Sequence, residues 1–452
     1  FVQLFQSIFS NRNKSLKKIN KLAGSIVILD EAQAIPEKYM ALIGATLQKI
    51  GEYYGTRFVL MTATQPKLLE FGDLILKRNH EELGMKKELL IRHEEYFKDL
   101  DRTKFVPIFE EEKINTGKFL EIFMDKWEKD KSALIVVNTI SRSIQVYQEL
   151  KKHLGEQGIR VPVYYLSTNI IPRRRRQVIE EVGELLSLNK PVILVSTQTI
   201  EAGVDLDFDM AFRDFAPIDS LIQTAGRVNR EGKKGKHLPV YIVEFEKDNH
   251  YVYELFDRQS TKILLKDREE ILESEYGTLA EKYYDAALKR GDIDESMRIW
   301  EEGILKLQFD VLQEFKLIDN IGEVCDIFVE DGSERATDLA NAYEALLKYE
   351  EEFYYDLSKI FDENIAKKYT GKLDAFERKA LLKLISAKMR DYIIQARISK
   401  VRNNSPVPFN ARGDASSSLY SSSLYWIPPG QLEQYYDKET GFISDNGDAF
   451  IY

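Results

Sequence analysis

Two adjacent acids near the start of the sequence could hold the metal and the water of a phosphate-cleaving reaction. Asp30 and Glu31 directly follow the apolar run 26–29, which predicts a buried strand. A carboxylate at the carboxyl end of a parallel strand lies where α/β sheets bind ligands. ATP hydrolysis needs one acid to hold Mg²⁺ and one to orient or activate water, and we assign these tasks to Asp30 and Glu31. Gln33 is counted with them as a candidate catalytic residue, and an ordinary helix N-terminus is the alternative.

A hydroxyl-rich turn follows the next apolar run. Thr62 and Thr64 come after the run 57–61 and stand before Pro66. Their hydroxyl groups could couple the acids to a neighbouring domain. The alternative is structural, because a threonine ahead of a first-turn proline is typical of a helix cap.

A third polar segment ends another apolar run and combines hydroxyl groups, a glycine and an acid. Thr197 and the amides near it could bind a nucleic-acid phosphate. Gly203 allows the backbone to approach a ligand closely, and Asp205 could accept a hydrogen bond from the ATP ribose or from an arginine. For Ser196 and Thr199, a strand-to-loop transition without a ligand stays an alternative.

Two arginines three residues apart form the fourth candidate group. On a helix, Arg227 and Arg230 would lie on one face. Two guanidinium groups on one face suit a triphosphate, because an arginine at the γ-phosphate stabilises charge in the transition state. Gln223 is placed in the same nucleotide site. The alternative is a solvated basic helix end, which the helix dipole favours.

A run of four arginines lies at a predicted helix start, after Pro172. The chain carries a net charge of −10, so positive charge for binding nucleic acid has to be local. The run could grip the phosphates of a strand, as a translocase requires, or it could be an exposed basic face. Its members are Arg173, Arg174, Arg175 and Arg176.

The candidate residues lie within a regular alternation of predicted strands and helices. Apolar runs alternate with amphipathic segments, which predicts an α/β fold with a parallel sheet wrapped by helices. The predicted strands are 25–29, 57–61, 133–137, 162–166, 191–195, 210–212 and 240–245. The predicted helices are 37–50, 65–77, 116–129, 140–154, 172–188 and 218–227.

Three domains are predicted. Residues 1–104 supply only two clear strands and are interpreted as the C-terminal half of an α/β lobe, ending in a charged stretch. Residues 105–246 are interpreted as a complete α/β lobe. Residues 247–452 are rich in Glu, Lys, Leu and Tyr at helical spacing and predict a mainly helical accessory domain.

Composition favours a cytoplasmic protein. The single cysteine, Cys325, makes neither an intrachain disulfide nor a zinc site. No stretch approaches the roughly 20 apolar residues of a membrane span, so no membrane partner is expected.

The order and spacing of the motifs resemble the second to sixth motifs of superfamily 2 helicases. Within that superfamily, the chain resembles the type I CRISPR-associated helicase–nuclease family over about residues 22–245. The segments that carry the resemblance are Asp30-Glu31-Ala32-Gln33, Leu166-Ser167-Thr168-Asn169, Ser196-Thr197-Gln198 and residues 212–230, FRDFAPIDSLIQTAGRVNR.

The resemblance implies two RecA-like P-loop NTPase lobes, the first partial and the second complete, with ATP and Mg²⁺ between them. It also implies 3′ to 5′ translocation on single-stranded DNA and recruitment by a guide-RNA surveillance complex during CRISPR antiviral interference. Asp30 and Glu31 carry over as the metal and water residues, Thr62 and Thr64 as coupling residues, and Thr197 as a DNA contact. Gly203 and Asp205 carry over as contacts to the nucleotide or the strand, and Gln223, Arg227 and Arg230 as γ-phosphate sensors.

The chain departs from the family pattern at several points. It contains no Gly-x-x-x-x-Gly-Lys-Ser/Thr phosphate loop and no His-Asp nuclease pair, and Thr224 stands where many relatives have arginine. We therefore interpret it as a C-terminal fragment or one piece of a split protein, with a separate nuclease or N-terminal helicase portion as a candidate partner. Two alternatives stay open: a nucleic-acid- or partner-binding module without ATP turnover, and another superfamily 2 motor, such as a restriction or repair translocase.

Overall fold

The computed structural model contains both parallel and antiparallel strands together with many helices. It describes residues 2–10, 13–62, 64, 66–90, 95, 98–110, 113–201, 203–246, 255–317, 324–348, 352–401, 406–409 and 424–443. The strands are β1 (Ile26–Asp30), β2 (Arg57–Met61), β3 (Thr103–Ile108), β4 (Ala133–Val136), β5 (Val163–Leu166), β6 (Ile193–Ser196), β7 (Met210–Asp214), β8 (Leu238–Val243), β9 (Ile271–Leu272), β10 (Val324–Val329), β11 (Ile393–Arg397), β12 (Val407–Pro408), β13 (Leu424–Ile427), β14 (Tyr436–Asp437) and β15 (Gly441–Phe442). The α-helices are α1 (Val2–Ile8), α2 (Asn13–Leu16), α3 (Glu37–Tyr54), α4 (Leu68–Arg78), α5 (Thr116–Lys126), α6 (Ile140–Glu156), α7 (Pro172–Ser187), α8 (Ile218–Ala225), α9 (Leu255–Leu265), α10 (Tyr276–Arg290), α11 (Asp294–Arg298), α12 (Phe309–Leu312), α13 (Glu334–Leu347), α14 (Glu363–Lys368), α15 (Ala375–Met389), α16 (Ile398–Val401) and α17 (Leu432–Tyr435).

The first of two compact units contains Phe1–Ile108, Phe215–Ile242 and Tyr253–Asn320. In it, β1 and β2 pair in parallel, with Asp30 opposite Met61. Both strands therefore end at the same edge, which places the acids at the end of β1 near the threonines that follow β2.

Helices from the segment 255–317 pack in the same unit as α3. The Leu42 amide of α3 donates to the Ser296 hydroxyl at 3.2 Å, and the Tyr39 hydroxyl lies 3.1 Å from a Glu295 carboxylate oxygen. This segment was assigned to the predicted domain 247–452. The two-unit division therefore differs from the predicted boundaries, because these contacts tie the segment to the N-terminal helices.

The second unit contains Phe109–Asp214, Val243–Val252 and Ile321–Tyr452. Its parallel strands lie in the order β5-β6-β4-β7. All side chains of β4 are buried, as expected for a parallel strand covered on both faces. The polar residues that follow β4, β6 and β7 therefore meet at one edge of the sheet.

The C-terminal segment contains many helices, and it also contains a sheet that the sequence-based prediction did not include. A four-stranded sheet in the order β11-β10-β13-β12 lies within residues 324–427, with β10 antiparallel to β11 and parallel to β13. Helices α13 and α15 share a buried core with this sheet. The local pattern concealed these strands because each one is short and pairs with residues far away in the sequence.

No helix in the described part of the chain has the length and apolar character that a membrane span requires.

Candidate functional site

The acid pair and the threonine turn are joined by hydrogen bonds between side chains. Asp30 is the last residue of β1, and the Glu31 amide donates to its carboxylate at 3.0 Å. The Gln33 amide group donates to the Glu31 carboxylate and accepts a hydrogen bond from the Thr62 hydroxyl. Gln33 thus bridges the residue after β1 to the residue after β2.

Burial divides this group into an open part and a fixed part. Asp30 and Glu31 are exposed, whereas Gln33 is only 3% exposed. Glu31 adopts the left-handed backbone region, with φ at 56°. The carboxylates are therefore open to a ligand while their bridging side chain is held in the fold.

The second threonine belongs to the same group. The Thr64 amide donates to the Thr62 hydroxyl at 3.2 Å. The Thr64 hydroxyl is buried and has no hydrogen-bond partner in the described structure. Thr64 is not a helix cap, because α4 begins at Leu68 and Lys67 precedes it.

The arginine pair does not lie on a helical face, which corrects the sequence-based argument for it. Helix α8 ends at Ala225, so Arg227 and Arg230 lie in the turns that follow. Asn229 between them is fully buried and has a φ of 48°, a left-handed conformation that ends helical geometry. Gln223 is half-buried on α8 itself.

The predicted DNA and nucleotide contacts of the third motif follow β6. The Thr197 amide donates to the Leu166 carbonyl at 3.3 Å, and its hydroxyl lies 3.1 Å from that of Thr199. Gly203 has a φ of 71° and open space where a Cβ would stand, so the backbone conformation itself favours glycine. Asp205 is exposed.

A buried ion pair that the sequence did not predict fixes the end of this motif. Arg213 on β7 is fully buried and lies 2.9 Å from the Glu201 carboxylate. Its guanidinium also donates to the Asn138 side chain at 2.6 Å and to the Asp214 carbonyl at 2.9 Å. The only local signal was a charged residue directly after the apolar run 210–212.

Three arginines of the predicted phosphate grip have partners within the protein. Arg173 donates to a tyrosine hydroxyl and also lies 5.5 Å from the centre of that ring. Burial lowers the pKa of Arg175 below its ordinary value. Arg174 and Arg176 each form an ion pair with an acidic side chain, at 2.8 and 2.9 Å. These contacts compete with the phosphate contact, which stays a prediction. The pairs are Arg173 with Tyr392, Arg174 with Glu181, and Arg176 with Asp391.

The residues present fit magnesium only if a ligand supplies part of its shell. Among the described residues, no group of three or more His, Cys, Asp and Glu side chains could hold a metal ion. Mg²⁺ keeps several waters and commonly uses one or two carboxylates plus substrate phosphates. The exposed Asp30 carboxylate at the strand edge suits that role.

The fold is mixed α/β with a parallel sheet, and it resembles the folds of chains in solved structures. Chains from two structures, described as “Crystal structure of T. fusca Cas3-ATP” and “CRISPR RNA-guided surveillance complex, pre-nicking”, match it with TM-scores of 0.61 and 0.54. The matches cover 100% and 99% of this chain and 57% of each of the other chains. At 15% and 14% identity, they show the fold alone.

The resemblance recognised from the motifs is confirmed by sequence comparison. Residues 129–233 match the family described as CRISPR-associated nuclease/helicase Cas3, C-terminal. The chain is 28% identical over 341 residues to the CRISPR-associated nuclease/helicase Cas3 of Haloferax volcanii. It is 32% identical over 210 residues to that of Methanothermobacter thermautotrophicus. This protein is therefore a relative of the Cas3 nuclease/helicases.

The relatives are longer than the matched region. The alignments cover 56% and 45% of this chain, but 36% of the Haloferax protein and 24% of the Methanothermobacter protein.

Proposed function

We propose that this chain supplies the water-activating, coupling and arginine residues of an ATP-dependent single-stranded DNA translocase and helicase of CRISPR antiviral interference in the cytoplasm. The observation that carries the proposal is the hydrogen-bonded chain Glu31–Gln33–Thr62. It connects the exposed acid pair to the threonine turn, so a conformational change at one group can alter the conformation of the other. That linkage is what a motor needs between nucleotide and DNA.

Each side of this chain has a proposed task. Asp30 would hold Mg²⁺, which neutralises phosphate charge when bound. Glu31 would orient the attacking water and accept its proton. Thr62 and Thr64 would pass the state of the acid pair to the rest of the motor. The buried, unpartnered hydroxyl of Thr64 supports a second arrangement of this turn.

The remaining predicted contacts lie on α8 and on the loops after β6 and α8. Arg227, Arg230 and Gln223 would face the γ-phosphate. Thr197 would contact a DNA phosphate, while Gly203 and Asp205 would contact the nucleotide or the strand, with movement from 3′ to 5′. RecA-like lobes are the fold assignment that goes with these tasks.

The phosphate cradle would come from outside this sequence, which contains no phosphate-binding loop of the P-loop type. The exposed apolar face of β1 and β2 supports this view. Ile26, Ile28 and Met61 are 69%, 60% and 49% exposed, although they lie on strands. In a parallel sheet, helices of a further segment would cover such a face. A guide-RNA surveillance complex would recruit the assembled protein to DNA, a role suggested by the matched structure of such a complex.

The test is ATP hydrolysis by the chain with and without single-stranded DNA, comparing wild type with Glu31→Gln. We expect DNA-stimulated turnover, in the chain alone or after adding a polypeptide that carries the phosphate loop, and its loss in the variant by about 100-fold or more. Salt-sensitive DNA binding without turnover in either setting would favour the alternative of a binding module.

A further inference from the structure

One buried carboxylate holds both the backbone and the side chain of an arginine far away in the sequence. Glu273 is 4% exposed and lies just after β9. One of its oxygens accepts the amides of Arg102 and Thr103, at 2.7 and 3.2 Å. The other accepts from Nε of Arg102 at 3.0 Å and from one of its terminal nitrogens. Arg102 is thereby fixed at the start of β3.

The third guanidinium nitrogen of Arg102 contacts the loop that carries the arginine pair. Its Nη1 donates to the carbonyl of Arg230 at 3.1 Å. In return, the Asn229 side chain donates to the Arg102 carbonyl at 3.2 Å. Two consecutive residues of this loop are therefore attached to Arg102, Asn229 through its side chain and Arg230 through its carbonyl.

Asn229 also closes the loop on itself. Its amide nitrogen donates to the Gly235 carbonyl at 2.7 Å, and its oxygen accepts the Lys234 amide at 2.9 Å. These hydrogen bonds define the conformation of the loop, and the contacts with Arg102 fix its position.

We propose that Glu273 and Arg102 are positioning residues for the arginine loop 226–236. Through the Arg230 carbonyl and Asn229, they set the position from which Arg227 and Arg230 approach a triphosphate. The inference rests on the proposed function, in which these arginines stabilise the transition state. A misplacement of about 1 Å can reduce a rate about 100-fold, so a clamp on the loop backbone has catalytic consequences.

The chain offers a matched control at the other end of β9, which Glu270 precedes and Glu273 follows. Lys104 and Glu270 form an ion pair of 2.6 Å, and the hydrogen bond from Lys104 lowers the pKa of Glu270. Both side chains are more exposed than Glu273. Glu270→Gln therefore removes a carboxylate next to the clamp and leaves Arg102 and its loop contacts in place.

The experiment measures kcat and KM for ATP in whichever form of the protein hydrolyses it. Glu273→Gln replaces an oxygen that accepts hydrogen bonds by an amide nitrogen that cannot. We expect kcat to fall about 10- to 100-fold with KM for ATP nearly unchanged, as for an interaction made in the transition state. Glu270→Gln should keep the wild-type kcat.

A second variant keeps the test decisive if Glu273→Gln does not fold. Arg102→Lys retains the positive charge beside Glu273 but loses the forked donor to the Arg230 carbonyl. It should show the same fall in kcat, together with faster amide hydrogen exchange across residues 226–236. A role in stability alone would lower Tm and leave kcat unchanged well below Tm.

The outcomes separate this inference from the proposed function. Wild-type turnover that needs Glu31 but survives Glu273→Gln and Arg102→Lys would overturn the inference alone. An equal loss of kcat in Glu270→Gln would also overturn it. If no form of the wild-type protein hydrolyses ATP, the proposed function fails and the inference fails with it.

Discussion

Two groups of polar side chains stand at the ends of parallel strands, one in each unit, and they are built in opposite ways. After β1 and β2, Asp30 and Glu31 are exposed and one buried amide, Gln33, connects them to Thr62. In the second unit, Glu201 follows β6 and Arg213 lies near the end of β7, and their charges are buried and paired with each other.

Position at the end of a strand therefore does not by itself make a reactive site. Exposed carboxylates keep their affinity for a metal or a water, and their removal leaves no buried charge behind. A buried ion pair has lost its hydration, so it is useful for holding a loop and very sensitive to loss of one partner. The first group is therefore suited to chemistry and the second to holding the motif 196–205 against β7.

Arg213→Met gives the largest effect that we expect in this comparison. It keeps much of the side-chain volume but leaves the Glu201 carboxylate buried without its ion pair, so the free energy of unfolding should fall by about 3–5 kcal/mol. Urea unfolding measures this change. The double variant Arg213→Met with Glu201→Leu should recover most of the loss, and equal losses in the single and double variants would show that packing, not charge, is at stake.

Gln33→Leu should have an intermediate effect. It removes two hydrogen bonds of a buried side chain, which we expect to lower the free energy of unfolding by about 1 kcal/mol. Thr62→Val breaks one of the same bonds from the other end. Because the two changes share that bond, the double variant should cost less than the sum of the single variants. Strict additivity in urea unfolding would contradict the bridge.

Glu31→Gln should have the smallest effect on stability. The side chain is exposed, so we expect the free energy of unfolding to change by less than about 0.5 kcal/mol even where ATP turnover is lost. Thermal unfolding of both proteins in the same buffer measures this. A loss comparable to that of Arg213→Met would mean that Glu31 holds the fold, and the contrast between the two groups would disappear.

The α/β elements of the first half were predictable because their apolar pattern is local. The strand predicted at 57–61 is found as Arg57–Met61, and the helix predicted from 116 begins at Thr116. The strand Thr103–Ile108 was missed, since it contains Lys104 and Pro107 and follows a charged stretch. The helix predicted over 218–227 ends earlier, at Ala225, and the contacts of buried Asn229 hold the turns that follow.

The candidate site was predictable only in part, and for a related reason. The acid pair and the threonines follow neighbouring parallel strands, so their meeting could be expected from the sequence. Glu273 could not be associated with Arg102, because the two residues are separated by 171 positions and neither lies in a motif. Arg173 and Arg176 similarly have partners, Tyr392 and Asp391, that no local pattern indicates.

The amino-acid sequence alone indicated the resemblance to Cas3 nuclease/helicases, the parallel strands and the types of residue at the ends of those strands. These properties depend on periodicity and motif spacing, which neighbouring residues encode. The tertiary structure was needed to show which charges are open to a ligand and which are neutralised inside the protein. Exposure and pairing depend on residues that are distant in the chain. A charged side chain that is both buried and paired holds the fold, whereas an exposed one stays available to a ligand.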